Sequence, residues 1–193
     1  MNSRVGDPHD RDCMIFADGA GAVIVEARES ETPVGILSHA TRTDAVDWAE
    51  LLVQGPSLNP EADRKNRYIR MQGHKVYVYA LQNVPGVAQE SLQKAGLQLQ
   101  DIKKVLIHQA NEKMDEAIAQ RLMRLYKMKG STEEIMPMTI SKLGNTSAAT
   151  IPTMYDMIKK GKLDGHKIES GDNIILTSVG AGMNINAVVY REE

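Results

Sequence analysis

Strands alternating with helices predict an α/β fold for this chain, on three observations. Apolar runs of strand length occur at residues 102–108, 173–178 and 184–190. Segments with helical periodicity fall at 74–95, about 111–127 and about 148–160, and the last two separate the first of those strands from the second. A further pair of apolar runs divided by Gly-Ala-Gly lies at 13–27, and the same punctuation recurs at 180–182, Gly180 standing 161 residues after Gly19. A duplicated α/β half would leave such an echo, although a full first copy would need most of a half ahead of Cys13, where only twelve residues stand.

Taken in order, 13–27 reads Cys-Met-Ile-Phe-Ala-Asp-Gly-Ala-Gly-Ala-Val-Ile-Val-Glu-Ala and predicts an antiparallel strand pair around a glycine turn. From 35 to 71 the pattern loosens. Pro56, Pro60 and the charged run 61–70 predict a long excursion of loop and irregular structure. Over 74–95, Val76, Tyr79, Ala80, Val84, Val87, Ala88, Leu92 and Ala95 share one helical face, and Gly96 supplies a stop. Pro85 should kink or break that helix. Ile102-Lys-Lys-Val-Leu-Ile-His108 is a short buried strand. Asn111 can cap the next helix, Glu112, Asp115 and Glu116 suit its positive start, and Met114, Ile118, Leu122 and Leu125 form its core stripe. Lys113, Arg121, Arg124 and Lys127 face solvent. After the helix at about 148–160, residues 173–178 and 184–190 pair around Val179-Gly180-Ala181-Gly182.

Composition bounds the function. With 193 residues, 42% of them apolar and 25% charged, the chain can bury a core and is not broadly disordered. Lys and Arg number 23 against 25 Asp and Glu, so a net charge of -2 gives no general drive towards nucleic acid or a membrane surface. The single cysteine excludes an intrachain disulfide and a thiolate-rich metal site. A polar N-terminus and the lack of any run of eighteen apolar residues lead us to expect a soluble, cytoplasmic protein. Aromatic residues make up only 4% while Met reaches 11, so flexible methionines are expected to fill the core.

Two segments could carry chemistry. His108 stands at the carboxyl end of a predicted strand, where open α/β sheets place ligand sites, and Gln109, Ala110 and Asn111 lead into a helix start. A satisfied core or capping histidine is the other reading of that position. Residues 142–152, Lys-Leu-Gly-Asn-Thr-Ser-Ala-Ala-Thr-Ile-Pro, surround Asn145 with small residues that let backbones approach closely and let the amide aim its N–H at a fixed point. A turn followed by a capped helix would use the same residues. Neither Gly-Ala-Gly opens a helix in a strand–loop–helix unit, which argues against a dinucleotide loop.

Together, Ile107-His108-Gln109-Ala110-Asn111 and Gly144-Asn145-Thr146-Ser147-Ala148-Ala149 closely resemble the His and Asn signatures of the 3-oxoacyl-[acyl-carrier-protein] synthase III family, the initiating condensing enzymes of bacterial fatty-acid synthesis. The resemblance continues, in the family's order, through Asp10-Arg11-Asp12-Cys13, the Asp18-Gly-Ala-Gly-Ala22 run, Met71-Gln72-Gly73, Gly171-Asp172 and Val179-Gly180-Ala181-Gly182. It implies the duplicated thiolase fold, which accounts for the echo. On it the chain divides into 1–34, the terminal strand pair of an incomplete N-terminal half; 35–72, a connecting excursion; and 73–193, the C-terminal thiolase-like half.

What the resemblance implies chemically is an acyltransferase that needs no cofactor. Such an enzyme takes an acyl group from coenzyme A onto a cysteine, decarboxylates malonyl held on acyl carrier protein, and joins the carbanion to the acyl group. His108 and Asn145 would be neutral N–H donors to the thioester oxygen, and the backbone at Gly180 and Ala181 a second oxyanion hole. Gly73, Tyr77, Ala110 and Asn111 would line the pantetheine channel, and Lys113, Arg121 and Arg124 would dock the acidic carrier protein. The sequence departs from the pattern at Val179, where an aromatic is common, at Lys113, which replaces a usual Arg, and at Gln120, where a second basic residue is often found. The family's nucleophile lies at a helix start upstream of these motifs. Cys13 matches a different, non-catalytic position, and Asp10 and Asp12 beside it would oppose a thiolate. The chain alone is therefore expected not to condense and to expose an apolar face that associates with itself or a partner, while the complete enzyme would be a cytoplasmic homodimer. A non-catalytic remnant or carrier-protein-binding subunit of a split condensing enzyme, and a related secondary-metabolite ketosynthase, are the two other readings.

Overall fold

The apolar run of the expected strand at 102–108 does form the buried edge of a sheet, and the rest of the fold is arranged around it. The computed structural model describes residues 2–193. In chain order the elements are α1 (Asn2–Val5), β1 (Gly35–Thr43), α2 (Ala45–Trp48), β2 (Leu52–Gly55), β3 (Tyr68–Met71), α3 (Gly73–Lys94), β4 (Ile102–Ile107), α4 (Glu112–Leu125), α5 (Ile140–Leu143), α6 (Thr150–Lys159), β5 (Asn173–Gly180) and β6 (Asn184–Arg191). Four strands make one mixed sheet in the order β1-β6-β5-β4, with β4 parallel to β5 and the other pairs antiparallel. The parallel pair needs a crossover, and α4, α5 and α6 supply it.

Alternation along β5 and β6 sends their side chains to two layers. Ile175, Ile185, Ala187 and Val189 pack under α3 and α4, while Ile174 and Leu106 pack under Met154 and Ile158 of α6. Helices on both faces of a mixed sheet are the predicted α/β architecture. Local signals act as read: Asn111 caps α4 by accepting from Met114 N–H at 3.2 Å. Gly96, at φ +70°, ends α3 with Leu97 N–H on the Leu92 carbonyl and its own N–H on that of Gln93, a Schellman closure.

Four expectations are corrected. The strand pair at 13–27 does not form. Residues 11–15 make a turn of 3₁₀ helix, Phe16 makes a single bridge to Asn145, and 17–34 follow without regular structure, leaving Val23, Ile24 and Val25 75%, 97% and 76% exposed. A strand exists only against a neighbour that completes its ladder, and none of the described strands runs beside this segment. Its glycines serve close approach instead: a Cβ on Gly21 would lie 2.3 Å from Pro152 Cγ, and one on Gly19 2.9 Å from Thr146 Cβ. Second, the excursion at 35–71 is largely regular. β1 is a nine-residue strand of the main sheet, and β2 pairs with β3 as a separate two-stranded ribbon. β1 escapes the apolar pattern because a bulge between Ile36 and Ser38 breaks its alternation and its Thr41–Thr43 end is exposed. Third, Leu125 ends α4 48% exposed, outside the core stripe of Met114, Ile118 and Leu122.

The fourth correction concerns Pro85. α3 runs unbroken through it for 22 residues. Proline removes the donor that the carbonyl four residues earlier would use, here that of Leu81. Arg121 of α4 replaces it, its Nη1 donating to the Leu81 oxygen at 3.0 Å. A neighbouring helix thus fills the gap that would otherwise make the proline a break.

Candidate active site

The parallel pair β4–β5 carries the first site residue. His108 extends β4 by one residue, its N–H donating to the Thr177 carbonyl at 2.9 Å, and its half-buried ring then turns to the loop before α6. There Nδ1 lies 3.1 Å from the Ser147 carbonyl oxygen. A carbonyl only accepts, so the neutral ring in this contact carries its proton on Nδ1 and presents a lone pair at Nε2. Burial holds the imidazole below its ordinary range, and the Ser147 carbonyl offsets this only in part. The ring is therefore neutral at pH 7.

Asn145 is buried and held from three sides. Its N–H donates to the Ile15 carbonyl and its carbonyl accepts from Ala17 N–H, both at 2.8 Å, so the turn after Cys13 brackets it like a fragment of ladder. Gly144 before it adopts φ +67°, and a Cβ there would come 2.8 Å from that of Ala17. The side chain accepts Ser147 N–H through Oδ1 at 2.9 Å, so Nδ2 is the donor end of the amide. Ser147, at φ +57°, thus reaches both partners through its own backbone: N–H to Asn145, carbonyl to His108. A left-handed serine costs on the order of 1 kcal/mol, which the two bonds offset.

A cavity of about 380 Å³ opens in front of this pair, lined by His108, Asn145, Ala110, Gly180 and Ala181 among others. Its outer wall is the β2–β3 ribbon, through Leu52, Gln54, Ile69 and Met71. Arg70 latches that ribbon to the N-terminal segment, donating to Asp7 at 2.9 Å, to Asp10 at 2.8 Å and to the Pro56 carbonyl. A second cavity, also about 380 Å³, shares His108, Ser147, Gly180 and Ala181 but is walled by Ser178, Asn184 and Asn186. The histidine and the glycine-rich end of β5 therefore stand between a mainly apolar space and a more polar one.

Of the residues expected to contribute, His108, Asn145, Ala110, Gly180 and Ala181 meet at one cavity. Gly73, Tyr77 and Asn111 do not line it. Tyr77 packs against the core, Asn111 is spent on the α4 cap, and Met71 and Val76 take the wall beside Gly73. Lys113, Arg121 and Arg124 lie exposed along α4, but Arg121 also serves the Leu81 carbonyl. Cys13 is half-buried in its 3₁₀ turn and lines neither cavity. Sequence reasoning missed Ser147 as the common anchor, although it stood inside the quoted Asn motif. It also missed the β2–β3 wall, for which the charged run gave no signal. No helix among the described residues is long and apolar enough to cross a membrane.

The chain is similar to known proteins of one family. Residues 92–192 match the family described as 3-oxoacyl-[acyl-carrier-protein (ACP)] synthase III C terminal, and residues 1–45 match 3-oxoacyl-[acyl-carrier-protein (ACP)] synthase III. A beta-ketoacyl-[acyl-carrier-protein] synthase III of Koribacter versatilis is 34% identical over 197 aligned positions, covering 99% of this chain and 56% of the relative. The crystal structure of 3-oxoacyl-(acyl carrier protein) synthase III from Pseudomonas aeruginosa superposes with a TM-score of 0.79 at 30% identity, over 98% of this chain and 55% of that one. The synthase III structure from Aquifex aeolicus gives a TM-score of 0.64 at 32% identity, over 84% of this chain and 46% of that one. The chain thus spans a little over half the length of the curated relatives it matches.

Proposed function

The chain belongs to the 3-oxoacyl-[acyl-carrier-protein] synthase III family, and from that premise we propose that it carries the decarboxylating side of a condensing site. The fold is the α/β, thiolase-like one of that family. The reading rests on one observation: His108 and Asn145, from separate elements, face one cavity and are joined through Ser147. In this reading malonyl on acyl carrier protein enters beside the β2–β3 ribbon and loses carbon dioxide. The electron pair of the breaking C–C bond becomes an enolate whose charge collects on the thioester oxygen. Asn145 Nδ2 stabilises that oxygen, and the His108 ring joins it once its proton passes from Nδ1 to Nε2, each donor being worth about 3 kcal/mol in such a site. The carbanion then attacks the acyl carbon of a cysteine thioester loaded from coenzyme A, backbone N–H groups at Gly180 and Ala181 hold the tetrahedral oxygen, and collapse breaks the C–S bond and releases the cysteine as thiolate. The acyl-bearing cysteine is not Cys13, which lines neither cavity. On this reading the acyl-bearing cysteine is contributed by another segment, and these 193 residues supply the decarboxylating groups without the acyl acceptor.

Carrier protein docks on α4 through Lys113 and Arg124, with Arg121 contributing what its bond to Leu81 leaves available. The setting is cytoplasmic and the assembled enzyme a homodimer. The reading is tested by carbon dioxide release from malonyl-carrier protein. Asn145→Ala should lower it about a hundredfold. Release indistinguishable from buffer, with carrier protein still bound, would favour instead a carrier-binding subunit of a split condensing enzyme, the reading to which the exposed Val23–Val25 run also lends itself.

A further inference from the structure

We propose that Gln109 is a positioning residue that fixes the distance between His108 and Asn145. It follows His108 directly, is fully buried, and points its amide away from the cavity into the segment that leads to Asn145. Oε1 accepts three bonds, from Thr139 N–H at 2.7 Å, Ile140 N–H at 2.9 Å and the Thr139 hydroxyl at 3.0 Å. Nε2 donates to the Pro137 carbonyl at 2.7 Å and to the Met154 sulfur at 3.1 Å. The partners settle the amide's orientation: backbone donors meet one end and a carbonyl the other. Every donor and acceptor it owns is in use.

The two backbone donors open α5. Thr139, in the capping position, makes no side-chain cap of its own, so Gln109 supplies from outside what the helix start lacks. α5 is a single turn, and Gly144 and Asn145 follow it at once. Ser147 then returns to His108 through its carbonyl. The structure therefore contains a closed ring. It runs from His108 to Gln109 by a peptide bond, from Gln109 to α5 by hydrogen bonds, and through α5 to Asn145 and Ser147. From there it returns to the imidazole. One helical turn bolted at both ends to adjacent residues leaves the pair little freedom to drift. A misplacement of about 1 Å at a reacting centre can cost about a hundredfold in rate, which is the scale on which such a ring would matter.

The proposal takes from the preceding reading that His108 and Asn145 act together, but its test reads geometry and not turnover. Failure of carbon dioxide release alone would leave it standing. Gln109→Met keeps the side-chain length and removes all five bonds. Gln109→Glu keeps the acceptor for α5 and loses the donor to Pro137. Ring ¹⁵N spectra of the 193-residue chain report which nitrogen of His108 bears the proton, with His108→Gln identifying its signals. Native protein should show the Nδ1–H form. Gln109→Met, folded by circular dichroism, should lose that form for the mixture of an unanchored imidazole, with the signals of His9 and His39 unmoved. Gln109→Glu should lie between the two. A folded Gln109→Met with an unchanged His108 spectrum overturns the proposal. If Gln109→Met does not fold, Gln109→Glu decides by the same criterion. If neither folds, Gln109 is a core residue and the proposal is overturned as well.

Discussion

Pro85 and Arg121 lie on different helices, yet their effects on stability should not add. The ring of Pro85 removes the donor for the Leu81 carbonyl, and Arg121 supplies a charged one across the α3–α4 contact. Bonds to charged groups are worth about 1.5–3 kcal/mol, and the exposure of Arg121 puts this one at the lower end, because water reaches part of the guanidinium. Arg121→Met, which keeps the aliphatic stem, should therefore destabilise the chain by about 1.5 kcal/mol, a fall of roughly 3–6 °C in melting temperature for a chain of this size. Pro85→Ala restores the N–H at position 85, and the carbonyl then has its ordinary helical partner. In that background Arg121→Met should cost less than about 0.5 kcal/mol, leaving a coupling of about 1 kcal/mol, well above the additivity expected of independent sites. Urea denaturation of the four proteins measures it. Equal costs of Arg121→Met in the two backgrounds would refute the account of how α3 survives its proline, and would leave Arg121 wholly available to the proposed docking role.

Other consequences are testable in the same preparations. Asp115 on α4 is fully buried, neither oxygen makes a bond of good geometry, and burial outweighs the nearby N–H groups of Asn111 and Ala110 to push its pKa up to about 8. The folded chain then holds a proton that the unfolded carboxyl, with a pKa near 3.9, releases, so stability should fall as pH rises between about 4 and 8, by on the order of 5 kcal/mol in all. Asp115→Asn should remove that part of the slope in urea midpoints at pH 5 and 9, and an unchanged slope would assign it elsewhere. Arg70→Met should strip the β2–β3 ribbon of its latch and leave buried Asp7 without its Arg70 ion pair. Amide exchange at Tyr68–Met71 should then rise selectively, whereas uniform loss of protection would mean the latch supports the whole fold.

The fold was legible where a local signal and the tertiary demand coincide. The strand ending at His108, the Asn111 cap, the Gly96 stop and the β5–β6 pair are each written within about twenty neighbouring residues or fewer. The failures share a cause of the opposite kind. Whether 13–27 becomes a strand depends on a ladder partner that no local pattern encodes. β1 pairs with β6 about 150 positions away, Gly35 opposite Arg191, and its polar exposed end hides that pairing. Pro85 predicts a kink or break in its helix, which does not break, since the substitute donor lies on another helix. At the site, His108 and Asn145 could be found by position and motif. That Ser147 joins them and that Gln109 is tied to the turn before Asn145 could not be, because Ser147 uses its own backbone and the Gln109 amide meets backbone groups of another segment, at places only the fold defines.

The contact between His108 and Ser147 also bears on when the histidine can act. With Nδ1–H on a carbonyl, Nε2 of the neutral ring can accept but not donate. To donate to the thioester oxygen the ring must move its proton to Nε2 and give up the Ser147 bond, a loss of about 1 kcal/mol. A bond to an uncharged thioester carbonyl returns about the same, so the exchange is near balance while substrate is intact. A bond to the enolate oxygen is worth about 3 kcal/mol, and the balance then tips. On the proposed reading the donor would be recruited by charge as it develops, which is the differential binding that accelerates a reaction without tightening the substrate complex. Ring ¹⁵N spectra near pH 7.5 should show Nδ1–H in the resting chain. With a malonyl-pantetheine amide, which has a neutral carbonyl, they should show both tautomers, and with a pantetheine analogue bearing a fixed oxyanion, Nε2–H. An Nδ1–H signal that persists with the oxyanion bound would leave Asn145 as the sole side-chain donor and give His108 the role of an acceptor.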